Sequence, residues 1–214
     1  MDQPMDADDT AKMRILAFAR EKMLRDGFAH ITVEQIASEM GISKKTFYKA
    51  FQGKDALIAG IMESVMQEIR GKLEEVIQSD NTFTEKLHAV MRVIAEQLCK
   101  IGRPFQQDLQ RFLPEFWRRV EEFRRKTMSA NMGRMLEQGI REGAVRSDVN
   151  VRIFLFAYLA AIDSLLRPDV LAQESFSMQE ALGNIMAIFF HGILTEEASR
   201  ELDQYQHNNR SQIS

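Results

Sequence analysis

Apolar residues recur along most of this chain at the three- and four-residue spacing of amphipathic helices, and alternating strand-like runs are absent. The spacing predicts about nine helices, over residues 9–26, 33–40, 44–51, 54–78, 82–101, 104–113, 114–142, 148–166 and 177–202. The chain has only four prolines, and Pro114 is suited to the first turn of its helix, where no hydrogen bond is lost. The pattern therefore predicts an all-α protein.

The second and third predicted helices are short and carry clear start and stop signals. Thr32 begins a capping-box pattern, and Gly41 ends the helix that follows. Ser43 then caps a third helix over residues 44–51, in which Phe47 lies on the apolar face and the opposite face is basic. Two helices joined by a short glycine-containing turn, with the second helix basic, are typical of a helix-turn-helix.

The charge of the chain is unevenly distributed. Residues 10–54 carry nine Lys and Arg against four Asp and Glu, so this segment is +5 although the whole chain is −3. Such asymmetry favours a module that binds a polyanion, joined to a different domain. DNA carries about one negative charge per 1.7 Å of its axis, and its major groove admits an α-helix. The basic third helix is therefore a candidate DNA reader.

The candidate DNA-binding residues lie on and around this third helix. Lys44 and Lys45 are at its N-terminal end, which faces base edges when a recognition helix docks, and lysine can donate to guanine. Tyr48 and Lys49 are better placed for the phosphate backbone, and Lys54 opens the next helix, where its ammonium can face a phosphate. The full candidate set is Thr32, Ser43, Lys44, Lys45, Thr46, Tyr48, Lys49 and Lys54.

Residues 14–58 resemble the DNA-binding domain of the tetracycline-repressor (TetR) family of bacterial transcriptional regulators. The matching positions are Ile15, Ala19, Gly27, Phe28, Thr32, Val33, Ile36, Ala37, Gly41, Ile42, Ser43, Thr46, Phe47, Tyr48, Phe51, Lys54 and Leu57. The resemblance implies that Thr46, Tyr48 and Lys54 touch DNA and that Lys44 and Lys45 read its sequence. It also implies an all-helical C-terminal domain that binds an effector and dimerises through its last two long helices.

We expect four segments along the chain: a disordered N-terminus over residues 1–9, a helix-turn-helix domain over 10–54, an effector-binding and dimerisation domain over 55–202, and a flexible tail over 203–214. A single cysteine, the absence of a secretory signal and the absence of a charge-free run of about 20 apolar residues favour a cytoplasmic protein that does not enter a membrane.

The large apolar and sulfur-containing residues of the second domain suggest a pocket for a hydrophobic ligand, because methionine adapts its shape to what it contacts. The candidate pocket residues are Met66, Met91, Phe105, Phe112, Phe116, Trp117, Met128 and Phe156. The last two predicted helices are apolar on more than one face, so one face can serve a partner. The resemblance implies that this partner is a second copy, and the candidate dimer residues are Phe154, Tyr158, Ile162, Leu165, Ile185, Phe189 and Ile193.

Catalytic motifs are absent from the sequence, including G-x-G-x-x-G, G-x-S-x-G and H-E-x-x-H, and the four histidines have no ligand spacing. We therefore expect no enzyme activity, no metal and no cofactor. The sequence favours a homodimeric repressor that a small, largely hydrophobic effector releases from a palindromic operator. Two alternatives stay open: a constitutive DNA-binding protein or activator without an effector, and an all-helical scaffold or interaction protein whose basic N-terminus binds an acidic partner.

Overall fold

The computed structural model of the protein describes residues 7–210, without the side chains of residues 7, 8, 128–130, 168, 172 and 206–210. Within this range the chain forms eleven α-helices and no strand, which confirms the all-α prediction. The helices are α1 (Ala7–Asp26), α2 (Val33–Glu39), α3 (Lys44–Ala50), α4 (Lys54–Gln78), α5 (Phe83–Cys99), α6 (Arg103–Phe112), α7 (Pro114–Glu142), α8 (Val151–Leu165), α9 (Pro168–Gln173), α10 (Met178–His191) and α11 (Glu196–Arg210).

The local signals around α2 act as the sequence predicts. The amide of Gln35 donates to Thr32 Oγ1 over 3.1 Å, and the Thr32 amide donates to Gln35 Oε1 over 2.8 Å, which completes a capping box. Gly41 follows α2 with φ of +64°, a left-handed conformation that favours glycine because it has no Cβ. The chain therefore turns sharply between α2 and α3.

The C-terminal end of the chain departs from the predicted single helix over residues 177–202. The chain leaves the helical path between α10 and α11, where the Arg146 amide donates to the carbonyl of Ile193 over 2.9 Å. The Thr195 amide donates in turn to the carbonyl of Ala144 over 3.0 Å. These long-range bonds use groups that a continuous helix would pair internally, so the helix is interrupted here.

Three other boundaries differ from the expectation. Pro168 begins the short helix α9, because proline is tolerated at the first helical position. α11 runs to Arg210, so the structure places residues 203–210 in a helix where a flexible tail is predicted. α1 begins at Ala7 inside the segment predicted to be disordered, while residues 1–6 and 211–214 lie outside the described residues.

The chain divides into two compact units, and two helices contribute to both. The first unit contains the described residues up to Glu68 together with Lys100–Arg118, and the second contains Ile69–Cys99 and the described residues from Arg119 onward. In the first unit α1 contacts α3 and α6, and α2 contacts α3. α6 thus packs with the N-terminal helices, although the sequence predicts it in the effector domain over residues 55–202.

The second unit has a large apolar core. In it α5 contacts α10 and α11, and α8 contacts α9 and α10. Tyr158 and Phe190, from α8 and α10, are almost fully buried, and their rings pack edge to face with centroids 5.6 Å apart. Burial raises the pKa of the Tyr158 hydroxyl above its usual range because the low-dielectric core disfavours the phenolate. No helix in the described range is both long and apolar enough to cross a bilayer.

Candidate nucleic-acid interface

The position of α3 is set by its buried aromatic face. Phe47 is fully buried and Phe51, the C-cap residue, is 5 % exposed, and their ring centroids lie 6.1 Å apart. α3 contacts both α1 and α2, so two helices support it from behind. Ser43 caps its N-terminus by accepting a hydrogen bond from the Thr46 amide over 3.0 Å. The opposite face of α3 is therefore turned toward solvent.

The exposed face of α3 carries the side chains that the sequence predicts for it. Lys44, Lys45, Tyr48 and Lys49 are exposed, and Thr46 is half-buried. The Tyr48 ring meets the Phe47 ring edge-on, with centroids 5.6 Å apart, and half of its surface stays exposed. α3 therefore presents a short surface of lysines, a threonine and a tyrosine, which are donors and acceptors suited to phosphates and base edges.

Lys44 has a partner that the sequence analysis missed. Its Nζ lies 2.6 Å from Glu34 Oε1, which α2 supplies. The hydrogen bond from Lys44 lowers the pKa of the Glu34 carboxyl, and Glu34 raises the pKa of Lys44 in return. Because both side chains are exposed, the pair is weak and can open when a stronger partner arrives. Spacing along one helix gives no warning of such a pair, because Glu34 lies on the preceding helix.

Lys54 lies closer to the protein than the sequence predicts. Its ammonium donates to the carbonyl of Ala29 over 3.2 Å and lies 5.8 Å from the centroid of the Phe28 ring. Burial lowers the pKa of Lys54, because desolvation disfavours the charged form. Its ammonium therefore contacts the turn between α1 and α2, beside a small cavity of about 210 Å³ lined by Phe28, Ala29, Lys54, Asp55, Phe112 and Leu113.

Comparisons with known proteins agree with this geometry. An uncharacterised HTH-type transcriptional regulator of Bacillus subtilis, YvaF, is 20% identical over 185 residues, covering 86% of this chain and 96% of that protein. A transcriptional regulator from Cytophaga hutchinsonii superposes with a TM-score of 0.66 at 16% identity, covering 86% of this chain and all of that chain (100%). The regulator FadR of Bacillus subtilis, solved with stearoyl-CoA, superposes with a TM-score of 0.55 at 20% identity, covering 85% of this chain and 98% of that chain.

The family model for bacterial regulatory proteins of the tetR family matches residues 15–61, which hold the larger part of α1, all of α2 and α3, and the start of α4. The chain belongs to the TetR family of bacterial transcriptional regulators. This assignment makes it a DNA-binding protein, and it confirms the resemblance found in the sequence. The two solved structures are at most 20% identical to this chain, so they show only that the fold is shared.

The candidate effector residues of this TetR-family regulator do not form one cluster. Phe105 is 1 % exposed and packs edge-on against Phe28 at 5.5 Å, so it belongs to the core of the first unit. Phe156 is 70 % exposed on α8, so its ring lies at the surface of the single chain. Phe112 is half exposed at the small cavity beside Lys54. The other candidates divide between the units, with Met66, Phe116 and Trp117 in the first and Met91 in the second. The side chain of Met128 lies outside the described residues.

The candidate dimer residues of the regulator differ in how far they are buried in the single chain. Five of them lie in the core of the second unit and are at most 7 % exposed, so they have little surface left for a partner: Phe154, Tyr158, Ile162, Ile185 and Ile193. Phe189 packs against that core, and Leu165 is 37 % exposed. The exposed apolar side chains of the same helices are Ile153, Phe156 and Ile188. α8 therefore carries one buried and one exposed stripe of apolar residues, and both stripes have helical spacing.

Among the described residues, no three His, Cys, Asp or Glu side chains are grouped closely enough to hold a metal ion. The sequence analysis also missed Asp108, whose carboxylate contacts the turn after α1. No short-range pattern points to it, because its partners lie about 80 residues earlier in the chain.

Proposed function

We propose that this TetR-family regulator is a homodimeric repressor that reads a palindromic operator with α3 and loses operator affinity when a small, largely apolar effector binds. The observation that carries the DNA-reading part is the orientation of α3, whose aromatic face is buried while its lysines face solvent. A helix of this width fits the major groove of B-DNA, with its N-terminal residues nearest the base edges.

Each exposed side chain of α3 has a proposed role. Lys44 and Lys45 lie at the N-terminal end and read bases, with Lys44 leaving Glu34 as it does so. Tyr48 and Lys49, farther along, bind phosphates, and so does the half-buried Thr46 from the same helix. Thr32 and Ser43 hold the first turns of their helices and flank this surface. Lys54 contributes to phosphate binding only after its bond to the Ala29 carbonyl opens.

Replacing Lys45 with alanine tests the reading role directly. We expect Lys45→Ala to weaken binding to a duplex selected from a random pool by the wild-type chain about 10-fold, and to relax the preference at one operator position. A lysine that donates to a guanine contributes on the order of 1–3 kcal/mol of discrimination. Binding is measured by fluorescence anisotropy at several salt concentrations, because phosphate contacts set the salt dependence.

Lys126→Ala is the matched control for this experiment. Lys126 is an exposed lysine of α7 in the second unit, so its removal changes the net charge equally and leaves α3 untouched. If Lys45→Ala and Lys126→Ala have the same affinity and sequence preference, α3 is not the reading helix. An operator affinity that hardly changes with salt would favour the alternative of an all-helical interaction protein.

The exposed apolar face of α8 and α10 supports the homodimer. Ile153, Phe156 and Ile188 are each at least 67 % exposed, and Leu165 adds to the same surface. α8 and α10 contact each other, so these side chains belong to neighbouring helices. Apolar side chains left this exposed are typical of a protein interface, and a two-fold dimer would place two copies of α3 about 34 Å apart on DNA.

A double substitution tests the dimer. We expect Phe156→Asp with Ile188→Asp to raise the dimer dissociation constant by roughly 30-fold or more, because two buried anchors would become charged in the interface. The fold should persist, because both side chains are exposed in the single chain. Sedimentation velocity measures the assembly, with Met13→Asp, at an exposed methionine of α1, as the control. A variant whose dimer dissociation constant equals that of the wild type would exclude this face.

The effector is supported by the relative FadR, whose structure holds stearoyl-CoA. Met66, Phe116 and Trp117 stay proposed pocket residues of the first unit, and Met91 stays one of the second, since all four are partly or fully buried. Mass spectrometry of small molecules that copurify with the chain identifies candidates, which are then added to the operator-binding assay. An effector should weaken operator binding, because it favours a dimer geometry that no longer matches the operator. Unchanged operator affinity at saturation would favour a constitutive regulator.

A further inference from the structure

We propose that Asp108 of α6 is a positioning residue for DNA binding: its carboxylate holds the turn between α1 and α2, and through that turn the helix-turn-helix. The proposal rests on the proposed role of α3 as the reading helix. It assigns a function to a residue that follows α3 by more than fifty positions in the chain and lies in the same compact unit.

One oxygen of Asp108 carries the contact. Asp108 Oδ2 accepts hydrogen bonds from the amides of Phe28 and Ala29, over 2.6 and 2.7 Å. These amides belong to the turn that immediately follows α1, where no helical partner is available to them. Hydrogen bonds to a carboxylate are shorter and stronger than those between neutral groups. The turn is therefore held from outside by a charged acceptor.

The surrounding backbone fits closely around this contact. Gly27 has φ of +83°, and a Cβ at this position would lie 2.7 Å from Asp108 Oδ2 and 3.0 Å from Pro104 Cβ. The Gly102 amide, at the start of α6, donates to the carbonyl of Leu24 over 2.7 Å. α6 thus approaches the end of α1 at two places, which limits the positions that the turn can adopt.

The turn leads directly to the DNA-reading helices. Five residues after Gly27 the chain reaches Thr32, the N-cap of α2, and α2 contacts α3. Both backbone groups of Ala29 are hydrogen-bonded. Its amide donates to Asp108, and its carbonyl accepts from Lys54. A shift of Asp108 would therefore move both the start of α2 and the carbonyl that Lys54 contacts.

The experiment compares three Asp108 variants and one control variant of the full chain on a duplex selected from a random pool by the wild-type protein. We expect Asp108→Ala to weaken binding about 10-fold, because only a fraction of molecules then hold the helix-turn-helix in the binding position. The slope of log affinity against log salt should not change, because the bound complex keeps its phosphate contacts. Asp108→Glu keeps the charge but displaces the carboxylate by one methylene group, and we expect a similar loss.

Asp108→Asn is the matched variant that separates position from charge. Its amide oxygen can take the place of Oδ2 and accept both hydrogen bonds, so we expect affinity within about 3-fold of wild type. Asn and Ala remove the same negative charge, which on electrostatic grounds alone would strengthen binding to DNA. If Asp108→Ala and Asp108→Glu lose DNA affinity and Asp108→Asn keeps it, then Asp108 acts by positioning the turn and not by its charge. Asp55→Ala removes an exposed carboxylate beside Lys54 and is the control for a lost negative charge, so its affinity should not fall.

Hydrogen exchange gives a second readout. The amides of Phe28 and Ala29 should exchange at least about 10-fold faster in Asp108→Ala or Asp108→Glu and stay protected in Asp108→Asn. If Asp108→Ala fails to fold, the Glu and Asn variants still decide the question. Equal affinity of the Ala, Asn and Asp55→Ala variants would overturn the proposal. The Lys45→Ala experiment tests separately whether α3 reads the operator. If α3 does not, Lys45→Ala leaves the sequence preference intact, whatever the Asp108 variants do on the same duplex.

Discussion

Phe47→Ala is expected to destabilise the first unit by about 3–5 kcal/mol and to abolish DNA binding at physiological temperature. Phe47 is fully buried, and truncating a buried phenylalanine removes its apolar contacts and leaves a cavity. The cost is comparable to the whole stability of many small domains. The single tryptophan, Trp117, is buried in the same unit, so denaturant unfolding followed by its fluorescence measures this loss.

Tyr48→Ala is the control for this substitution. Tyr48 is the next residue in the same helix and is half exposed, so its truncation should cost only about 1 kcal/mol of stability, mainly the edge-on contact with Phe47. Both variants should bind the operator more weakly, but only Phe47→Ala should shift the Trp117 unfolding transition strongly. Equal and small shifts for both variants would mean that Phe47 does not anchor α3.

Gly102→Ala is expected to destabilise the contact between α6 and α1 by about 2–4 kcal/mol. Gly102 has an ordinary φ of −65°, so alanine would be tolerated if space allowed. A Cβ here would lie 2.3 Å from the carbonyl oxygen of Arg25, and a backbone atom cannot move aside as a flexible side chain can. The hydrogen bond from the Gly102 amide to Leu24 would be lost with the displacement.

Gly53→Ala is the matched comparison for Gly102→Ala. Gly53 also stands immediately before a helix, α4, and a Cβ on it would meet no atom within 4 Å. We expect a cost of about 1 kcal/mol or less, from the slightly poorer N-cap. Trp117 fluorescence measures both variants. If the two glycines tolerate alanine equally, then α6 is not held as closely against α1 as the 2.3 Å distance requires.

The helix-turn-helix could be predicted from the sequence because every signal that builds it is local. Thr32 and Ser43 cap helices through bonds to amides three residues away, and Gly41 ends α2 by its own conformation. Phe47 and the lysines around it fall on opposite faces by helical periodicity alone. Such interactions need no knowledge of the rest of the chain, and the observed α2 and α3 agree with the predicted helices within two residues.

The break between α10 and α11 could not be predicted in the same way. The apolar spacing continues across it, and only the bonds from Arg146 and Thr195 to the opposite segments show why the helix stops. Which apolar stripe of α8 is buried could not be predicted for a related reason. α8 carries apolar residues on two stripes, and whether Phe154 or Phe156 faces the core depends on where α10 lies.

The amino-acid order alone determined that this protein is all helical, and it determined where α2 and α3 begin and end. It also determined that α3 has a basic and an aromatic face. These properties depend on residues within a few positions of each other. Tertiary structure alone decided that Glu34 pairs with Lys44, that Lys54 contacts the Ala29 carbonyl, and that Asp108 holds the turn after α1. Such partners are chosen by the packing of helices that are distant in the chain, and no periodicity records them.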